Sequence, residues 1–298
     1  MSSTHTLRTV IAITAALALC ITTLRGDVAR AATGDLVADV LVPEAEVVWP
    51  RGLAPSVGFD GVNLYYLDYA GSVLHRIAMP PRGASVGTGH VDAPIMGAGS
   101  GIMAIAYDRG RDLFWATGGD GLSIYRLSKS GAATLAFRID PMADRPGFQT
   151  GPAATEVKIA YDAADDTLWY APDATTRIYH YQTVADLLGT AQLVTSSPYI
   201  DIDVTAQCGF SQSSGVATGG ASLFVSVAGC PFYFELAKSG GAVLGAYAYN
   251  WAGVQSAQDV ECDDVTYGVP VFWIKDGYDG HIRAFEQPRA GACARGGG

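Results

Sequence analysis

The sequence predicts an all-β chain, a β-propeller of four-stranded blades, on three observations. Five apolar segments align, LYYLD (64–68), LFWAT (113–117), LWYAP (168–172), LFVSV (223–227) and VFWIK (271–275), and their first residues lie 49, 55, 55 and 48 apart. That interval suits a four-stranded blade rather than a helical solenoid repeat. Around each segment the same order recurs: an apolar stretch, a turn, the segment itself, a second turn, and a third stretch such as IYRL (124–127). Helical periodicity is nearly absent, with residues 184–188 the one candidate for a turn of helix. Five blades are favoured; six follow if residues 36–49 form a degenerate extra blade.

Taken in order, residues 1–31 read as a secretory signal peptide. A polar head with Arg8 precedes an apolar run at 9–24, and Ala29-Arg30-Ala31 offers a small-x-small site with cleavage after Ala31. That run of 16 residues is shorter than the ~20 a membrane span needs, so no membrane span is expected. Leu19 before Cys20 argues against lipoprotein acylation. The chain is therefore expected to be secreted or periplasmic, with residues 32–288 as one propeller domain and 289–298 as a C-terminal tail tied by a disulfide.

The fifth repeat supplies strands near 259–265, 271–275 and 281–286 and then runs into a Pro, Gly and Ala tail. Its fourth strand is missing. One of the apolar stretches 36–42 and 47–49 is expected to fill that place, closing the ring and removing two unpaired edges. Repeat one carries the hairpin signal Asp60-Gly61. Repeats two, three and five carry Asp108, Asp162 and Asp263 at the corresponding place, and repeat four has Ala217-Thr218-Gly219-Gly220 instead. The aromatic pairs of the second strands, such as Phe114-Trp115 and Trp169-Tyr170, read as packing between blades rather than as a ligand platform.

Removing Arg8, Arg25, Arg30 and Asp27 with the leader leaves 16 basic and 28 acidic side chains, a net charge of −12. Such a surface repels phosphate backbones and excludes nucleic acid as a partner. Four cysteines survive cleavage, and an even number in an exported chain points to disulfides. Cys208 precedes blade four and Cys230 lies in its second-to-third turn, both on the face where first strands begin, here face A. Cys262 and Cys293 both fall on the opposite face B. The expected pairs are Cys208–Cys230 and Cys262–Cys293.

The pattern of apolar-Ala-Tyr-Asp, Leu-aromatic-aromatic and Ile-Tyr-Arg-Leu resembles the NHL and SMP-30/gluconolactonase-like propellers over nearly the whole mature chain. The resemblance implies a ligand site on face A around the central channel. It covers calcium-dependent lactonases, an antibiotic-opening lyase and non-catalytic interaction propellers, so it does not select an activity. The lactonases use an early Glu, a mid-chain Asn and a late Asp around the metal. Here residues 51–56 hold no carboxylate, and Asn63 and Asn250 fall away from the channel positions. The lyase reading needs a histidine base, and His75, His180 and His281 fall at or beside third strands.

Two groups of carboxylates remain. Asp68, Asp120, Asp173, Asp276 and Asp279 follow second strands and read as turn residues bonding their own backbone. Glu156, Asp259 and Glu261 lie at the starts of inner strands where other repeats have Ala54, Ala104 and Ala106, with Lys158 as polar neighbour. Converging carboxylates suit Ca²⁺, the one cofactor the sequence suggests.

The leading reading is thus a monomeric, secreted binding or interaction module with no readable catalytic set, taking a small molecule, glycan or protein on the channel face. The alternatives are a Ca²⁺-dependent lactonase-like hydrolase or lyase using Glu156, Asp259, Glu261 and Lys158, and a structural surface protein.

Overall fold

The computed structural model describes residues 32–43, 56–67, 71–141, 156–251, 257–277, 279–289 and 291–293. The expected leader, residues 47–49 and Asp68 lie outside them. Five four-stranded antiparallel sheets make a five-bladed β-propeller. Blade one is β2 (Ser56–Phe59), β3 (Asn63–Leu67), β4 (Val73–Ala78) and β5 (Val91–Pro94); blade two is β6 (Ile102–Asp108), β7 (Leu113–Gly118), β8 (Ser123–Leu127) and β9 (Ala133–Arg138). Blade three is β10 (Val157–Asp162), β11 (Thr167–Pro172), β12 (Arg177–Gln182) and β13 (Tyr199–Asp201); blade four is β14 (Gly215–Gly219), β15 (Ser222–Ser226), β16 (Phe232–Ala237) and β17 (Val243–Ala248). Blade five combines β18 (Ala257–Asp263), β19 (Val271–Asp276) and β20 (His281–Glu286) with β1 (Leu36–Leu41) from the other end of the chain.

The closing strand is thus the first of the two N-terminal apolar stretches. It pairs antiparallel with β20 from Leu36↔Phe285 to Leu41↔His281. Inner strands follow one another around a closed ring, β2, β6, β10, β14, β18 and back to β2.

Because each blade faces two neighbours, both sides of its second strand are apolar. Five hydrophobic clusters fill the five gaps, one between each pair of adjacent blades. Trp115, Trp169 and Trp273 are fully buried in them, as are Tyr65, Tyr66, Phe114, Tyr170 and Phe272. The aromatic pairs are therefore core.

The repeated aspartate at the end of the first strand has a structural job. Trp115, Trp169 and Trp273 donate their indole N–H to Asp108, Asp162 and Asp263 at 3.2, 3.2 and 3.0 Å. The other oxygen accepts turn N–H groups, from Arg111, Ala164, and Val265 with Thr266. Repeat one substitutes Tyr65, whose hydroxyl donates to Asp60 at 3.0 Å. Basic residues tie adjacent blades to these carboxylates: Lys129 of blade two bonds Asp60 of blade one at 3.3 Å, and Lys238 of blade four pairs with Asp162 of blade three. Repeat four lacks the aspartate, and Lys238 also donates to the Gly220 carbonyl at 2.6 Å.

Two expectations need correction. Residues 184–188 form no helix: Asp186 Oδ1 accepts the N–H groups of Leu188 and Thr190, both at 2.8 Å, making a side-chain-closed turn. The helix among the described residues is instead α1 (Thr205–Cys208). In blade five the first strand begins two residues before the expected 259, with a register irregularity between Ala257 and Asp259.

Candidate functional site

At the face A end of the channel, inner strands from several blades converge on a buried polar knot. Asp259 on β18 is 1 % exposed. Its Oδ2 accepts the Ser56 hydroxyl at 2.6 Å and the Val57 N–H at 3.2 Å, and its Oδ1 accepts the Val260 N–H at 2.9 Å. Ser56 Oγ accepts the Ile105 N–H at 3.0 Å, so one carboxylate links the inner strands of blades five, one and two. The irregularity in β18 places Asp259 there, as bulges re-aim side chains. Gly215 on β14 permits this: a Cβ there would collide with the Asp259 backbone and Ser226 Oγ.

Lys158 on β10 is fully buried, and its ammonium donates to Glu156 Oε1 at 2.9 Å. Burial pushes the Asp259 carboxyl up to about 7, against the opposing pull of the Lys158 charge and the Ser56 bond. Asp173, at the turn after β11, is pushed up to about 6 by burial and by the Glu156 charge, again opposed by Lys158. Its Oδ1 is buried without a hydrogen-bond partner among the described residues. One ammonium thus stands among three carboxylates, two of them held above the normal range.

The structure therefore brings Glu156, Lys158 and Asp259 into one electrostatic unit. It places Glu261 elsewhere. Two residues along β18, about 7 Å, Glu261 lines a cavity of about 280 Å³ at the face B mouth. The walls come from the ends of all five inner strands and their turns, including Phe59, Tyr107, Tyr161, Thr218, Asp264 and the Cys262–Cys293 pair, with Arg109 at the rim. The hollow exists because the turns here are small: Gly61, Ala163-Ala164 and Gly219-Gly220 leave room that larger side chains would fill. Face A is where the resemblance puts a ligand; the cavity found among the described residues opens on face B.

The cysteines pair as Cys208–Cys230 and Cys262–Cys293. The second pair brings Ala292 and Cys293 against Gly219, so the tail becomes part of the cavity wall.

Five other sequence candidates have structural partners. Asp120 accepts the N–H groups of Leu122 and Ser123 at 3.0 and 2.8 Å, ordinary turn chemistry. Asp279 accepts the His281 N–H at 2.9 Å and pairs with Arg283. Asn250 donates to the Thr33 carbonyl and Asp35 at 3.0 and 2.9 Å, binding the N-terminal segment. His180 stacks on Trp169 at 3.9 Å and shares a 2.6 Å bond with Thr167; His281 pairs with Asp39 across blade five. Sequence reasoning passed over Ser56 and the buried state of Asp173. The signal for Asp173 was its neighbour: Asp120 is followed by Gly121 and Asp173 by Ala174, which adopts a positive φ of 56°.

No protein-family model and no curated protein matches the chain. Among solved structures it is similar to virginiamycin B lyase from Staphylococcus aureus (15% identity, TM-score 0.42, covering 78% of this chain and 65% of that one). It is also similar to the nidogen/laminin complex (15%, 0.43, 76% and 73%) and to Myxococcus xanthus glutaminyl cyclase (8%, 0.49, 84% and 97%). The chain spans 62% and 65% of the length of two Staphylococcus aureus virginiamycin B lyase structures that it matches. These neighbours are β-propeller proteins, and they include both enzymes and binding proteins.

Proposed function

We propose that the chain is an exported binding module of the NHL/SMP-30-like kind, whose ligand enters the face B mouth of the channel. The observation that carries this reading is the cavity there: concave, ringed by inner-strand ends, and furnished with Glu261, Asp264 and Arg109 beside apolar wall atoms. Its ligand is a small polar molecule, or the tip of a partner's loop, carrying an amine or hydroxyl for the carboxylates. Two disulfides fit an oxidising compartment, and no helix among the described residues is long and apolar enough to cross a membrane.

On face A, Lys158 already supplies a cation to the carboxylates. Asp259 spends its lone pairs on three donors, leaving little for a substrate proton.

Ligand-observed NMR with a library of amines, amino acids, sugars and lactones tests the proposal. Compounds that bind the mature protein lose at least about tenfold in affinity, 1.4 kcal/mol, in Glu261→Trp, which fills the mouth. Undiminished binding in that variant contradicts the assignment.

A further inference from the structure

Blade one carries a cluster of metal-ligating side chains remote from the residues of either channel mouth. His75 on β4 is the register partner of Asp92 on β5, and His90 stands two residues before Asp92. His75 Nδ1 lies 2.8 Å and His90 Nε2 2.9 Å from the same atom, Asp92 Oδ1. All three ligand atoms fall within 4.8 Å of one another.

The cluster is held from beneath and open above. His75 has a side-chain exposure of 5 % and stacks on Tyr66 at 4.9 Å, which fixes the ring. The His90 ring stacks on it in turn, with centroids 5.8 Å apart and planes 15° from parallel. Asp92 is 53 % exposed and His90 28 %, so an ion and its water reach the group directly.

Two imidazoles and one carboxylate with an open fourth position form a donor set suited to Zn²⁺. Around a tetrahedral ion with bonds of about 2.0–2.2 Å, ligand atoms stand about 3.4 Å apart, so the two N···O separations open by about half an ångström and the two nitrogens, within 4.8 Å of each other, settle to the same spacing. Because two ligands are register partners on paired strands and His90 directly precedes β5, little chain must be ordered for binding. The chain's formal charge of −10 favours cations generally.

We infer that His75, His90 and Asp92 form a divalent transition-metal site for Zn²⁺, with water as the fourth ligand. The ion clips the outer strand β5, largely exposed at the edge of blade one, to β4. The site is independent of the ligand proposed for the face B mouth.

Calorimetric titration of ZnCl₂ into the mature, oxidised protein tests it, with Co²⁺ absorption reporting the coordination geometry. The wild type and His281→Ala each take up one equivalent and give the visible bands of tetrahedral Co²⁺. His90→Ala, at a partly exposed position the fold tolerates, loses more affinity than the roughly 10–100-fold that removing an outer-sphere partner costs. Absence of saturable zinc uptake, leaving a hydrogen-bonded triad only, overturns the inference, and so does uptake undiminished in His90→Ala.

Discussion

Lys158→Met destabilises the protein by about 3–5 kcal/mol, because removing one partner of a buried ionic group strands the charges it balanced. Lys158 is fully buried and bonded to Glu156, and its charge opposes the upward push on both Asp259 and Asp173. The loss depends on pH in a definite direction. With Asp259 raised to about 7 and Asp173 to about 6 from 3.8, the native state holds more protons than the unfolded chain between those values. Their contribution to stability is therefore complete below the unfolded value and is lost as pH rises through 6 and then 7. Without the ammonium both carboxyls rise further, and the deficit of the variant is larger at pH 8 than at pH 5. Chemical denaturation at the two pH values checks this. A deficit below about 0.5 kcal/mol at both, within the range of ordinary surface substitutions, removes Lys158 from the charge balance.

The paired substitution Cys262→Ser and Cys293→Ser has the second large effect. The bond closes a separation of 31 residues, for which loop-closure entropy gives about 3.7 kcal/mol. For a domain of this size that lowers Tm by on the order of 10 °C. The bond also holds Ala292 and Cys293 against Gly219, and Gln287 donates to Cys293 Sγ at 2.8 Å. Its loss releases part of the face B wall, so the variant loses ligand affinity as well as stability. Cys208→Ser with Cys230→Ser, closing a separation of 22, costs a similar amount of stability while leaving the mouth intact. Equal ligand affinity in both double variants shows that the tail is no part of the site.

Much of this architecture is legible in the chain because each blade repeats the same short code. A Leu-aromatic-aromatic strand is buried on both sides whichever blade it occupies, and the preceding Asp accepts an indole N–H in three of five repeats. The missing strand of blade five could be counted, and β1 fills it. The site was less legible because its parts do not share one repeat. Glu156 and Asp259 stand out against alanines elsewhere and belong to one knot with their neighbour Lys158, yet the pattern gave no sign that Lys158 would be fully buried. Glu261 shares that pattern and a strand with Asp259 but serves the opposite mouth. That mouth is built from strand ends spread from Phe59 to Cys293, which no local window joins. His90 and Asp92 escaped for a related reason: they follow the irregular connection after β4, outside the repeated code.

The claim at the centre of this account is that the face A carboxylates are balanced from within by Lys158. Thermal melting of the mature, oxidised protein, first after chelation and then with Ca²⁺ added to millimolar levels, tests it most directly. An ion that binds the native state raises Tm by mass action. The account predicts the same Tm with and without Ca²⁺. A Tm that climbs with Ca²⁺ in the wild type and not in Asp259→Asn contradicts it and returns Glu156 and Asp259 to the role of metal ligands.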